Sequence, residues 1–309
     1  MYPEVPYPPD MGMPRAQPSR QIERSALTAL VPVVALAPMW LVAMVVVWFP
    51  LHLVFGVPYW IVPVLWLALG LTLFVPSVQV AVLGPSLGAR RPTDDELEVI
   101  APIWRDLAAA ANQPQYRYVI RVIDSDELNA YACGGHLLVV TSFAIDELTE
   151  RELSGVLAHE LSHHLGLHTA ALTLGHWLSL PVLLLARVGF YLQNVARAAT
   201  DSFASHSAAL TALGRMAAGL LTAMSWVFLA ALYASDALAN LVGHASEYEA
   251  DRRAVRMGYG RALVDALRAV IRLGGGTRAI GWRARLASTH PPARTRVARI
   301  EAMMRHPSH

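Results

Sequence analysis

The longest uncharged stretch of the chain covers residues 25–89, which contain no Asp, Glu, Lys or Arg. A helix needs only about 20 apolar residues to cross the hydrocarbon of a bilayer, so this stretch is long enough for two crossings. Turn-forming residues interrupt it at Pro50, Gly56 and Pro58. The pattern therefore predicts a transmembrane hairpin over residues 23–88, with spans near 26–49 and 59–83.

Two shorter apolar runs follow, Thr169–Ala186 and Met216–Ser235, and neither contains a charged residue. Each is long enough to span a bilayer, although the arginines between the two runs are unfavourable on the outer side of a membrane. We therefore expect residues 169–240 to form a pair of transmembrane or re-entrant helices. Together with the hairpin they predict a four-helix transmembrane region, in keeping with a chain that is 55% hydrophobic and 16% charged.

The remaining residues have the mixed polar and apolar pattern of a folded domain outside the membrane. Two capping boxes predict helix starts, one at Thr93–Glu96 and one at Thr149–Glu152. Runs rich in β-branched residues predict the strands of a small sheet: Tyr116–Asp124, Asn129–Cys133 and His136–Thr141. We expect residues 89–168 to be the first part of a mainly helical domain outside the membrane, in a chain of membrane α+β class, and residues 241–309 to be its second part.

The placement of arginine indicates which side of the membrane this domain occupies. Residues 1–22 are rich in proline and predict a disordered tail. Arginines flank both ends of the hairpin while its 50–58 turn has none, so both ends should face the cytoplasm. From residue 252 onward there are 13 Arg against two acidic residues, and anionic lipids would attract this segment to the same side. No nucleic-acid motif accompanies it, so we expect the lipid bilayer rather than a nucleic acid as partner.

The segment His159-Glu160-Leu161-Ser162-His163 carries the pattern expected of a catalytic metal site. Positions i and i+4 share one face of a helix, so His159 and His163 can both point at one ion. Glu160 can reach a water molecule beside the ion without being a ligand, which suits a general base. The competing interpretation is an ordinary helix that happens to display two histidines. We predict one Zn²⁺ per subunit at this motif.

A third protein ligand must come from elsewhere in the chain. Glu247 and Asp251 lie one helical turn apart, so one carboxylate could bind zinc while the other accepts an N–H bond from a ligand histidine. A solvated acidic helix face would show the same spacing, and Glu249 is a rival ligand two residues along. His164 is expected at the end of the motif helix or near lipid headgroups.

Four blocks occur in a fixed order along the chain: Asn129-Ala130-Tyr131-Ala132, the His159–His163 motif, Glu247 through Ala250-Asp251, and Thr289-His290-Pro291-Pro292 followed by Arg296. In this combination the chain resembles the HtpX-like membrane-bound zinc metallopeptidases, which are related to the CAAX prenyl-protein proteases. The resemblance covers about residues 25–305 and departs from the family pattern at Tyr131, where Phe is common. It implies a gluzincin-type metallopeptidase domain.

The resemblance also implies roles for individual residues. Glu247 becomes the third zinc ligand and Asp251 the carboxylate that orients a histidine. Asn129–Tyr131 would form an exposed strand that binds an extended peptide, although an interior strand has the same pattern. His290 and Arg296 match the second active-site block and are candidates for stabilising the oxyanion. Alternatively, His290 and the prolines after it only begin the last helix.

The leading hypothesis is a membrane-integrated zinc endopeptidase that acts on peptides or membrane proteins, in membrane-protein quality control. We expect it in the cell membrane as a multi-pass protein, with the catalytic domain facing the cytoplasm. One alternative is a CAAX-type prenyl-protein protease, whose relatives carry more spans. Another is a catalytically inactive, zinc-stabilised scaffold or sensor, but a structural zinc site has no need of a base such as Glu160.

Overall fold

A computed structural model describes residues 30–166, 168–203, 207–273 and 291–306. The predicted tail at residues 1–22 and the candidate residue His290 lie outside this range. The helices of the membrane region are α1 (Val31–Phe55), α2 (Ile61–Thr72), α3 (Pro76–Ser86), α7 (His168–Phe203) and α8 (Ala208–Arg256). The other elements are α4 (Asp94–Ala110), β1 (Val119–Ile123), β2 (Ala130–Cys133), β3 (Leu137–Thr141), α5 (Ser142–Glu147), α6 (Glu150–Leu165), α9 (Gly260–Arg272) and α10 (Ala293–Arg305).

Three described helices, α1, α7 and α8, are long and apolar enough to cross a membrane. The expected turn at Pro50 is wrong, because α1 continues through Pro50 and ends at Gly56, where a positive φ of 66° permits a left-handed cap. In an apolar helix an internal proline removes one hydrogen bond without ending the segment. The span predicted near 59–83 is not straight either. It consists of α2 and α3, bent by 82° before Pro76, and makes a fourth span only if the bent pair is counted as one.

The membrane helices pack around a common apolar cluster. Helices α1, α7 and α8 contribute its largest buried side chains: Leu36, Trp40, Met44, Leu178, Val182 and Phe228. Helix α2 joins through Trp66, whose ring stacks on Trp177 of α7 with centroids 4.5 Å apart. Many apolar side chains on the outer faces of the same helices are exposed, as expected of surfaces that contact lipid.

The sheet has the strand order β1-β3-β2, with β1 parallel and β2 antiparallel to the central strand β3. Every side chain of β3 is buried because both faces of the sheet are covered. Leu138 and Val140 face the core around α6, and Leu137 and Val139 face a smaller cluster that includes Leu87. Strand β2 is therefore an edge strand, and its outer edge faces α6.

Helix α6 lies at the centre of the larger core and fixes the metal motif. Its capping box is formed as predicted, since Thr149 Oγ1 accepts the N–H of Glu152 and the Glu152 carboxylate accepts the N–H of Thr149. Leu153, Leu157 and Leu161 are fully buried along one side of the helix. The predicted capping box at Thr93 is also formed and begins α4.

Candidate metal centre

The motif histidines lie on the last two turns of α6, and both are buried. Their Nε2 atoms are 3.2 Å apart, so the i and i+4 spacing directs both rings at one point. Helix α8 brings the Glu247 carboxylate to the same point. Its Oε2 lies 3.3 Å from His159 Nε2, and its Oε1 lies 3.1 Å from His163 Nε2. The three residues are the group among the described residues whose ligand atoms could hold a metal ion.

The spacing of these atoms fits a zinc ion. Ligand atoms bound about 2.0–2.1 Å from zinc at tetrahedral angles lie about 3.3 Å from one another. The two Nε2 atoms are 3.2 Å apart, and each lies 3.1–3.3 Å from a different oxygen of the Glu247 carboxylate, which is close to that value. Two imidazoles and one carboxylate also form a ligand set typical of catalytic zinc sites.

The rival residue Glu249 points away from this cluster. Its carboxylate pairs with Arg252 Nη1 at 2.7 Å and with Arg256 Nη2 at 2.8 Å, on the outer side of α8. Glu247 is only 4% exposed, and its carboxylate contacts both motif histidines. The two side chains therefore point to different sides of α8. Glu247 is a candidate metal ligand, and Glu249 belongs to a surface ion pair.

Asp251 lies beneath His159, one turn of α8 beyond Glu247. Its Oδ1 is 3.0 Å from His159 Nδ1, so it can accept that N–H and direct Nε2 toward a metal ion. Arg296 of α10 donates two hydrogen bonds to the same carboxylate, from Nε at 3.0 Å and from Nη2 at 2.6 Å. Both Asp251 and Arg296 are buried, so each needs the other's charge.

Arg296 contacts two of the candidate metal ligands, His159 and Glu247. Its Nη2 is 3.1 Å from Nδ1 and 3.2 Å from Nε2 of His159, and its Nη1 is 3.5 Å from Glu247 Oε2. The same helix contacts α8 through Arg299, whose guanidinium lies 3.8 Å above the Tyr248 ring. Helix α10 is thus held against α8 at Glu247 and along the turn that follows it.

Glu160 is buried, 4% exposed, and it faces the edge of the sheet. Its Oε2 accepts the N–H of Ala132, at 2.9 Å. Because backbone groups alternate along a strand, Ala130 turns its N–H and C=O toward the same outer edge. The carboxylate is thereby held between the end of this edge and the metal cluster.

The expected substrate residues lie on or beside this edge. Asn129 immediately precedes β2, and its carbonyl accepts the N–H of Thr141 on the inner side. The side chain of Tyr131 packs against the smaller cluster on the opposite face of the sheet. Of the predicted block, the backbone of Ala130 and Ala132 is the part that faces the motif helix.

Two titratable side chains near the centre are kept neutral by burial. His164 lies in the last turn of α6, which is one of its two expected positions, and it is buried between Leu137 O at 3.1 Å and Thr169 Oγ1 at 3.2 Å. Burial lowers the pKa of His164 to about 3, so its ring is neutral and ties α6 to β3. Burial raises the pKa of Cys133 to about 11, which makes it a poor nucleophile.

Comparison with known proteins agrees with this centre. The sequence profile of Peptidase family M48 matches residues 96–304, more than half of the chain. A protease HtpX homolog from Bifidobacterium longum is 29% identical over 245 residues, which cover 71% of this chain and 74% of that protein. Protease HtpX homolog 1 from Streptomyces coelicolor is 29% identical over 164 residues, or 52% of this chain and 46% of the relative.

Among solved structures, the crystal structure of S. mikatae Ste24p matches with a TM-score of 0.48 and 18% identity, over 90% of this chain and 66% of that one. The extent of the profile match decides the classification, because it includes the motif helix, the Glu247 helix and the Arg296 helix. The chain belongs to peptidase family M48, as an HtpX-like membrane metallopeptidase.

Proposed function

We propose that the protein is a zinc-dependent endopeptidase that hydrolyses peptide bonds at the membrane border, with zinc held by His159, His163 and Glu247. The observation that carries this proposal is the convergence of the two Nε2 atoms and the Glu247 carboxylate at 3.1–3.3 Å, with the buried Glu160 next to His159 in α6. Zinc in such a site supplies a Lewis acid that polarises a carbonyl group and lowers the pKa of water.

Within this proposal Glu160 moves the proton. It takes a proton from the attacking water and passes it to the leaving amine. The Ala132 N–H holds one carboxylate oxygen at 2.9 Å, which leaves the other oxygen for the water. Asp251 keeps His159 in the orientation and tautomer that a ligand needs, and Arg296 neutralises the buried carboxylates on that side.

The substrate would lie extended along the outer edge of β2. A peptide added there forms main-chain hydrogen bonds with Ala130, and its scissile bond lies toward Glu160. Main-chain recognition depends little on side chains, which suits an enzyme that acts on many unfolded sequences. Together with the membrane helices, this supports membrane-protein quality control as the biological role.

The contacts of Arg296 favour a supporting role over stabilisation of the oxyanion. Its guanidinium is engaged by Asp251 through two hydrogen bonds and lies near Glu247. We assign it primarily to holding the ligand residues in place. Assignment of His290 to the oxyanion stays a prediction.

The decisive test is Glu160→Gln in the full-length protein, compared with wild type for cleavage of a misfolded membrane protein and for bound zinc. We expect the cleavage rate to fall by at least about 100-fold, because an amide cannot accept the proton. Zinc content should stay at the wild-type level, because Glu160 is not a ligand. Equal cleavage by both proteins would rule out the mechanism, and zinc binding without cleavage by wild type on any substrate would favour a scaffold.

A further inference from the structure

Gln79 is a buried polar side chain far from the metal ligands in sequence. It is 0% exposed and begins a π turn, Gln79–Leu83, within α3. Such turns are rare in helices and are frequent at functional sites. This one lies where the bent membrane hairpin meets the sheet of the catalytic domain.

The carboxamide of Gln79 binds both sides of the β2–β3 turn. Its Nε2 donates to Gly134 O at 2.8 Å, and its Oε1 accepts the N–H of His136 at 3.1 Å. Only a side-chain amide offers a donor and an acceptor in this arrangement. Gly134 has a φ of +69°, and a Cβ there would lie 2.6 Å from Gln79 Cδ. The Gln79 side chain therefore occupies the space that a side chain at position 134 would need.

The segment that carries Gln79 is also fixed to the rest of the sheet. Leu83 and Leu87 pack with Leu137 and Val139 on the sheet face opposite the metal helix. A few residues later, the backbone of Arg90 exchanges hydrogen bonds with Val122 of β1, at 2.8 and 3.0 Å. The end of the membrane hairpin is therefore packed against the sheet and hydrogen-bonded to it.

The β2–β3 turn lies directly beyond the residue that contacts the general base. Ala132, whose N–H is bonded to Glu160, is two residues before Gly134. A shift of the turn would move the outer edge of β2 relative to Glu160. Gln79 can thus affect the position of the edge without touching substrate.

We propose, building on the peptidase function above, that Gln79 is a positioning residue that holds the substrate-binding edge of β2 in register with Glu160. It acts through the Gly134 carbonyl and the His136 amide. It also makes the active site depend on the membrane hairpin, since the restraint comes from α3.

Gln79→Glu tests this in the full-length protein in detergent micelles. The variant keeps the size of the side chain and the acceptor for His136, but it places an anionic oxygen against Gly134 O. We expect KM for an extended fluorogenic peptide to rise about tenfold, roughly the value of one hydrogen bond, with kcat changed less than about threefold. Val82→Ala, an exposed position of the same π turn, is the matched control and should leave both constants unchanged.

Hydrogen exchange provides a second readout that needs no activity. In Gln79→Glu, and in Gly134→Ala, which disturbs the same contact from the other side, amides of residues 130–136 should exchange faster while those of α6 stay protected. A folded Gln79→Glu variant with wild-type KM overturns the proposal. Global unfolding of both variants also overturns it, because Gln79 would then be required for the fold as a whole. If wild type cleaves no peptide, the peptidase proposal fails, and the exchange data still decide the role of Gln79 in ordering the strand.

Discussion

Asp251 and Arg296 show how the candidate metal centre depends on residues that are not ligands. The carboxylate accepts from His159 Nδ1 at 3.0 Å and receives two hydrogen bonds from the guanidinium. Removing either charge would deprive the other, in a buried site, of its ion-pair partner at 2.6 Å, which is costly. The metal affinity of the two histidines should therefore depend on this pair.

Asp251→Asn should weaken zinc binding by about 10- to 100-fold, because the amide orients His159 less firmly and no longer neutralises Arg296. Competition with a chromogenic chelator measures the affinity directly. Asp265→Asn is the control, since that carboxylate forms half-exposed ion pairs on α9. Unchanged zinc affinity in Asp251→Asn would show that the aspartate does not support the ligand.

The choice between the two neighbouring glutamates can be tested in the same assay. Glu247→Gln should lose stoichiometric zinc and cleavage together, because a neutral amide is a poor zinc ligand. Glu249→Gln, which alters only ion pairs with Arg252 and Arg256, should retain both. The reverse result would transfer the ligand role to Glu249.

At the scale of elements, the position of α6 is set by a close approach to α9. A Cβ on Gly155 would overlap with the backbone of Ala262 and Leu263, so only glycine allows the two helices to meet at this distance. The metal histidines lie one to two turns further along α6. The contact between α6 and α9 thus fixes the position of the His159–His163 motif.

Gly155→Ala should lower the free energy of unfolding by about 1–3 kcal/mol, the usual cost of overpacking, despite the better helix propensity of alanine. Thermal unfolding in detergent measures the loss. Gly219→Ala in α8 has no atom within 4 Å of the added Cβ and should be neutral or slightly stabilising. A Gly155→Ala protein as stable as the control would contradict close packing at this site.

The sequence predicted the elements whose signals are local. Both capping boxes, the three strands and the facing of His159 and His163 follow from spacing within a few residues. It missed features that depend on distant packing. The burial of His164 depends on β3 lying beside α6. The bend before Pro76 cannot be predicted from hydrophobicity averaged along the chain. Spacing alone left Glu247 open between a metal ligand and a solvated acidic helix face, and the family resemblance favoured the ligand.

At the scale of the whole molecule, the cytoplasmic orientation of the catalytic domain is a prediction from arginine placement. Single cysteines can test it in a Cys133→Ser background. Pro58→Cys in the turn between α1 and α2 should react with an impermeant thiol reagent on intact cells, whereas Asp95→Cys in α4 should react only after lysis. Both positions are exposed, so access depends on the side of the membrane. Labelling of Asp95→Cys on intact cells would reverse the orientation.

The order of the metal residues along the chain has a consequence for biosynthesis. His159 and His163 leave the ribosome long before Glu247, and the Arg296 that pairs with Asp251 follows later still. With zinc bound as proposed, the nascent polypeptide stays inert until α7 and α8 have been inserted and α10 has folded back onto α8. Proteolytic competence then arises only after α10 has been made, so a nascent chain that lacks α10 cannot attack the translocation machinery that inserts it.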